Sequence, residues 1–360
     1  MSSGTWSGGI GNGFRFLQSS INIVAFSTRV NRHVATSLAK RAICHITHPV
    51  DAITFKPLYM ERVWGGRELE RIYGRKLPDP AKPFGESWEI VDREEAQSIV
   101  EGGPLAGSSL HELWTQRREE IFGSSYENHP RFPVLIKILD ARDDLSIQVH
   151  PPENRAAELG GEAKTEMWYI ADCDPGAKLY VGLKHGVTRA DFEQAVQTGS
   201  VADCVHAMTP QPGDSIFIPS GRLHAIGGGV LIHEIQQNSD TTYRVFDWNR
   251  LGLDGKPRQL HVDQSLASID FNDFEPGMDI PNGETLVSCE YFKTDKKSLV
   301  AGAAIANPVV GRFSILSVVE GELESGQGRR FSKGKFLLLP RDAAPLTAVE
   351  NSTVLQVTLP

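Results

Sequence analysis

The sequence predicts a mainly β chain, built from double-stranded β-helix (jelly-roll) barrels in a paired arrangement with small helical insertions. Three observations point there. From Phe55 onward, short β-type runs bounded by turn residues outnumber helical patterns. The 360 residues include 34 Gly and 21 Pro but only 8% aromatics, a composition of many turns. One segment, Gly213 to His224, sets two tight turns around a single short strand.

Taken in order, the predicted strands are Ser87–Val91, Val134–Leu139, Leu145–His150, Met167–Ala171, Lys178–Val181, Ser215–Ile218, Gly229–Gln236 and Tyr243–Asp247. Two helical patterns interrupt them. The first spans Ser109–Ile121, with a serine cap and Leu110, Leu113 and Trp114 at core spacing. The second spans Arg189–Ala207, opened by Thr188 and broken near Gly199. Strands resume at Ser288–Thr294, Phe313–Val319, Lys335–Leu339, Thr347–Val349 and Val354–Thr358. The expected domains are an N-terminal extension over 1–50, a catalytic metal-binding β domain over 51–270 and a second β domain over 271–360.

Composition excludes several classes. A net charge of −8 argues against a nucleic-acid protein, whose phosphate contacts call for a basic face. No stretch approaches the ~20 apolar residues that a bilayer span needs. Cys44, Cys173, Cys204 and Cys289 lack CxxC spacing, so neither a disulfide framework nor a thiolate zinc site is suggested. A soluble, cytoplasmic protein in a reducing compartment is expected. Residues 1–50 hold five basic residues and no acid before Asp51. They read as a disordered extension or an upstream start codon in preference to an organelle transit peptide.

The chemistry concentrates in three motifs. Gly213 to His224 fits G-x5-P-x-G-x2-H, the second motif of cupins, with Gly228 where an Asn usually follows. Its turns deliver His224 onto a strand facing a barrel mouth. In Leu145-Ser-Ile-Gln-Val-His-Pro151, strand alternation puts Ser146, Gln148 and His150 on one face with Ile147 and Val149 behind. In Lys164-Thr-Glu-Met-Trp168, Lys164 and Glu166 share a face. Gln148, His150, Glu166 and His224 together make a two-nitrogen, two-oxygen set suited to one divalent ion such as zinc. One carboxylate against a +2 ion leaves a net positive site, which favours Lewis-acid chemistry.

These motifs, with Trp64-Gly65-Gly66, Gly85-Glu86-Ser87-Trp88-Glu89, Gly221 to Gly227 and Glu234 to Arg244, resemble type I mannose-6-phosphate isomerase (phosphomannose isomerase), in its short bacterial form. The resemblance covers about Phe55 to the C-terminus. It implies a zinc enzyme of the cupin superfamily that interconverts mannose 6-phosphate and fructose 6-phosphate. It also implies metal ligands at Gln148, His150, Glu166 and His224, a catalytic arginine at Arg244, and an active-site Lys and Glu at Lys164 and Glu234. Ser146 and Lys137 fall on the phosphate side, and Trp64 on the pocket wall. His233 stands where the family would have an aromatic.

The residues suit that chemistry. Aldose–ketose isomerisation needs a base, an electrophile for the carbonyl and a phosphate anchor. Glu234, Lys164 and a metal-bound water are all candidates for the base. A monomer or small homo-oligomer acting on a small sugar phosphate is expected, without nucleic-acid or membrane partners. The rival readings are a sugar-phosphate-binding protein without turnover and an isomerase of another sugar. His185 and His206 read as surface residues, His233 as packing behind Glu234, and His261 as capping a turn. No histidine follows His261, so the C-terminal β domain reads as a degenerate, metal-free copy.

Overall fold

The computed structural model describes residues 50–360, so the expectations for the N-terminal extension fall, Val50 apart, outside the described residues. Strands form four sheets. Sheet I runs in space as Leu58–Gly66, Phe84–Ile90, Val134–Ala141, Val230–Gln237, Glu166–Cys173 and Ser215–Ile218, with every pair antiparallel. Sheet II runs as Tyr243–Phe246, Ile147–Val149, His224–Ile226, Leu179–Leu183 and Val205–Met208. Sheets III and IV come from the C-terminal part, and sheet III gains Ile53–Thr54, which pairs with Phe336–Leu339.

The buried side chains define how these layers stack. Trp168, Ile170, Ile218 and Ile232 of sheet I share one core with Leu179, Val181 and Ile226 of sheet II. The other face of sheet I, with Ile136, Ile138, Met167 and Ile235, packs on Ile315, Leu338 and Leu355 of sheet III. Sheets III and IV enclose a further core. Sheet I is therefore covered on both sides, which is why Val134–Ala141 is buried at every position.

The two-residue period of a strand then decides where polar groups go. Along Val230–Gln237, Val230, Ile232 and Glu234 face sheet II while Leu231, His233 and Ile235 face sheet III. Along Val134–Ala141, Ile136 and Ile138 face sheet III, so Lys137 between them points the other way.

The helices differ in detail from expectation. Ser109 does cap, accepting from the Glu112 N–H at 3.1 Å while the Glu112 carboxylate accepts from the Ser109 backbone N–H. The helix breaks at Arg117, giving Leu110–Gln116 and Arg118–Ile121. Thr188 and Asp191 form the same reciprocal cap on Arg189–Thr198. That helix stops nine residues early, because Gly199 at φ 74° takes the left-handed C-cap. The chain beyond forms the strand Val205–Met208, so His206 lies on a sheet edge. The predicted strand Ser288–Thr294 is a turn between Thr285–Ser288 and Lys293–Leu299. Among the described residues, no helix is long and apolar enough to cross a membrane.

Candidate active site

A cleft of about 550 Å³ opens between sheets I and II, lined by residues of both. At its base, two adjacent strands of sheet II place Gln148 and His224 directly opposite each other in register. Arg244 lies across Gln148 on the other side. From sheet I, Glu166 reaches toward both imidazoles, its two oxygens 3.5 Å from His150 Nε2 and 3.6 Å from His224 Nε2. The donor atoms of His150, Glu166 and His224 lie within 4.8 Å of one another, and all three residues are buried.

Each imidazole is oriented from behind. His150 Nδ1 lies 2.8 Å from the Thr241 carbonyl, and His224 Nδ1 lies 2.9 Å from the Arg222 carbonyl. A carbonyl only accepts, so each ring carries its proton on Nδ1 and turns the Nε2 lone pair into the cluster. His150 Nε2 and Glu166 Oε1 have no hydrogen-bond partner there, while Glu166 Oε2 is paired with the Lys164 ammonium. Burial and the nearby Lys164 ammonium hold His150 down at about 3, and burial also lowers His224. Burial pushes Glu166 up, but the Lys164 ammonium outweighs it and holds the carboxyl well below its ordinary range. Two neutral imidazoles and one carboxylate, oriented so that their lone pairs converge, form a donor set that a divalent cation fits. Gln148 sits alongside with its amide nitrogen 3.3 Å from His224 Nε2, and turning that amide over presents its oxygen instead.

A buried row of alternating charges runs outward from this cluster. Lys164 Nζ is 2.7 Å from Glu166 and 3.8 Å from Glu234. Lys137 Nζ is 3.7 Å from Glu234, 3.7 Å from Asp240 and 3.8 Å from Glu86, and lies over the Trp88 ring. Glu86 in turn is gripped by Arg62 through two hydrogen bonds, at 2.9 and 3.2 Å. Glu234 also accepts from Trp168 Nε1 at 3.1 Å. Burial, reinforced by the Glu166 charge and resisted by the two lysines, pushes Glu234 up to about 7. Lys164 is held protonated, since its carboxylate neighbours outweigh burial. Glu86, by contrast, is held near 2, because Lys137 and Arg62 overcome the effect of burial.

Every residue expected at the site is brought together. Lys137, Ser146, Gln148, Lys164, His224 and Glu234 line the cleft. Trp64 and Arg244 line it too, while His150 and Glu166 are buried beside them. Gly85 makes room for Trp64: a Cβ there would meet the ring at 2.5 Å and Arg62 Cβ at 2.7 Å. Trp88 is core, whereas Trp168 both packs and lines the cleft. Among the lining residues that were not anticipated are Arg62, Glu86, Asp240 and Arg258. Period-two spacing from Trp64 could have found Arg62. Glu86 and Asp240 stand inside motifs already singled out. Nothing local distinguishes Arg258.

A cleft with oriented imidazoles and a buried carboxyl raised toward neutrality belongs to an enzyme that moves protons on a small polar substrate. Comparison with known proteins narrows the class. Residues 53–178 match the family description "Phosphomannose isomerase type I, catalytic domain". Mannose-6-phosphate isomerase ManA of Bacillus subtilis is 36% identical over 302 residues, covering 81% of this chain and 93% of that protein. A mannose-6-phosphate isomerase of Streptococcus mutans is 34% identical over 303 residues, covering 79% and 92%. The crystal structure of a Bacillus subtilis mannose 6-phosphate isomerase superposes with a TM-score of 0.77 at 32% identity, covering 86% of this chain and all of that one. The chain belongs to the type I phosphomannose isomerase family.

Proposed function

We propose that this protein is a zinc-dependent aldose–ketose isomerase that interconverts mannose 6-phosphate and fructose 6-phosphate through a cis-enediol. The carrying observation is the buried His150–Glu166–His224 donor set with Glu234 and Lys164 beside it. Zinc, one per chain, would be held by these three residues and Gln148. When bound, it supplies Lewis-acid polarisation of a substrate oxygen.

The protein's own groups do the rest. Glu234 takes the C2 proton of the open-chain aldose and returns it to C1, while a proton passes from the C2 hydroxyl to the C1 oxygen. A carboxyl near pKa 7 can both accept and release a proton at neutral pH. Lys164 stays protonated and serves as the local positive charge for the enediolate, which makes Glu234 the better base of the two. Arg244 supplies fixed planar donors to the same oxygens. Ser146 and Lys137 lie on the phosphate side of the cleft, Lys137 with its charge largely met by three carboxylates, and the Trp64 ring walls the sugar.

We assign the catalytic role to residues 51–270, folded as a cupin-type double-stranded β-helix, and a packing role to a second such unit over 271–360. A cytoplasmic location suits an enzyme of sugar-phosphate metabolism. A coupled assay on purified protein, before and after chelation and zinc restoration, tests the reading. Zinc-restorable turnover of mannose 6-phosphate is expected, and no turnover by the zinc-loaded protein would sink it.

A further inference from the structure

The cleft's inner cation has little charge to offer a phosphate, since Lys137 lies within 3.8 Å of three carboxylates. The uncompensated positive charge lies farther along the chain, in the segment after Tyr243–Phe246. There the one carboxylate of Asp247 is shared by Arg250, at 2.9 Å, and by Arg258. Arg258 meets it side-on, with Nε donating at 2.7 Å and Nη2 at 2.5 Å. Arg244 has no carboxylate within 4 Å among the described residues, and its buried Nε has no hydrogen-bond partner. Arg250 and Arg258 thus share one carboxylate, an excess of one positive charge, and of the two it is Arg258 that lines the cleft, where a phosphoryl oxygen can meet it.

The segment is built to hold this arrangement. Trp248 and Asn249 both adopt left-handed backbone, at φ 56° and 54°, a conformation that non-glycine residues keep only where their surroundings impose it. The Trp248 indole donates to the Leu145 carbonyl at 2.6 Å, and Arg250 donates to the Asp144 carbonyl. The two anchors lie one and two residues before Ser146 in sequence. Gly252 then hydrogen-bonds Lys256, closing a small hairpin that returns Arg258 to the cleft wall. Asp254 on that hairpin turns its carboxylate to the Lys256 N–H. Burial, then the positive charge of Arg258, lowers Arg244, a sign that the two guanidiniums stand close together.

We propose that Arg258, aligned by Asp247, is the principal anchor of the substrate's phosphoryl group, with Arg244 lining the same cleft. The assignment rests on the isomerase reading above. Arg258 binds and does not touch the reacting carbons, so it acts on affinity. Two of its donors are committed to Asp247, leaving Nη1 and the remaining Nη2 hydrogen for phosphoryl oxygens.

The test compares wild type, Arg258→Ala and Arg258→Lys in the zinc-loaded full-length protein, reading KM and kcat for mannose 6-phosphate and the inhibition constant of inorganic phosphate. Wild-type turnover is the control for the isomerase reading, and its absence would indict that reading and not Arg258. Arg258→Ala should raise both KM and the phosphate inhibition constant by roughly 10- to 100-fold, with kcat changed far less. Arg258→Lys, which keeps the charge and the fold but loses the planar fork, should fall between. Constants for both variants within twofold of wild type would overturn the assignment. So would a higher KM with an unchanged phosphate inhibition constant, because the loss would then not concern the phosphoryl group.

Discussion

Replacing Glu234 by Gln puts the proton-transfer assignment at greatest risk. The substitution keeps the shape, and the amide can still accept from Trp168 Nε1, which donates to the carboxylate at 3.1 Å. What it removes is one negative charge, 3.7 Å from Lys137 and 3.8 Å from Lys164. At an effective dielectric of about 20, each such attraction is worth about 4 kcal/mol. Both lysines keep other partners, Lys164 at 2.7 Å from Glu166 and Lys137 near Glu86 and Asp240. Repulsion between Glu234 and Glu166 is also relieved. The losses are therefore partly offset, and the variant should fold and carry about one zinc per chain. Its kcat should fall by about 10²- to 10⁴-fold, the usual worth of a positioned acid–base group.

The pH profile supplies a second readout. A base works deprotonated, and a pKa raised from 4.5 to about 7 keeps Glu234 protonated in mild acid. Activity should therefore fall about tenfold per pH unit below that pKa. A bound cation draws the value downward, so the acidic limb in the zinc-loaded enzyme lies below pH 7. That limb should disappear in Glu234→Gln. A kcat within tenfold of wild type, with zinc retained, would refute the assignment of Glu234 as base, and a variant that loses its zinc would show that the effect runs through the metal site.

Three further outcomes are expected. His224→Ala should lose metal and activity together, measured as zinc per chain and turnover, since one of the few donors is gone. Arg244→Ala should keep zinc but lose at least about 10²-fold in kcat, because fixed donors to developing charge are worth that much; near-wild-type turnover would remove Arg244 from the mechanism. His233, buried between Tyr73 at 2.7 Å and Ser317 at 2.9 Å, is held down at about 3 by burial. The unfolded chain takes up a proton below about pH 6.5 while folded His233 does not, so stability should drop by about 1.4 kcal/mol per pH unit from this residue as pH falls from 6.5 toward 3. His233→Phe should lose about 1–3 kcal/mol at pH 7, from two stranded hydroxyls, yet show a shallower acid slope in urea unfolding.

Much of the site was legible because its ligands obey local rules. Strand alternation alone sets Ser146, Gln148 and His150 on one face, and two turns around Ser215–Ile218 deliver His224; the structure then places Gln148 and His224 in register. The serine and threonine caps were readable for the same reason, each being a bond between residues three apart. Alternation also put His233 behind Glu234, where it bridges to sheet III.

What local pattern could not supply was the meeting of distant segments. Whether Lys137 faces phosphate or carboxylates depends on Glu86 and Asp240, which lie 51 and 103 positions away and arrive through sheet order. Sequence separations of that size are closed by burial of apolar faces against each other, a non-directional force that leaves no mark on any one residue. The same holds for Arg258, an ordinary arginine in a polar loop until Asp247 and the left-handed turn at Trp248 swing it into the cleft. The sequence by itself marked the side chains that meet as a candidate metal-binding set. Only the tertiary structure decided which charges surround them, because electrostatics depends on distance in space and not on distance along the chain.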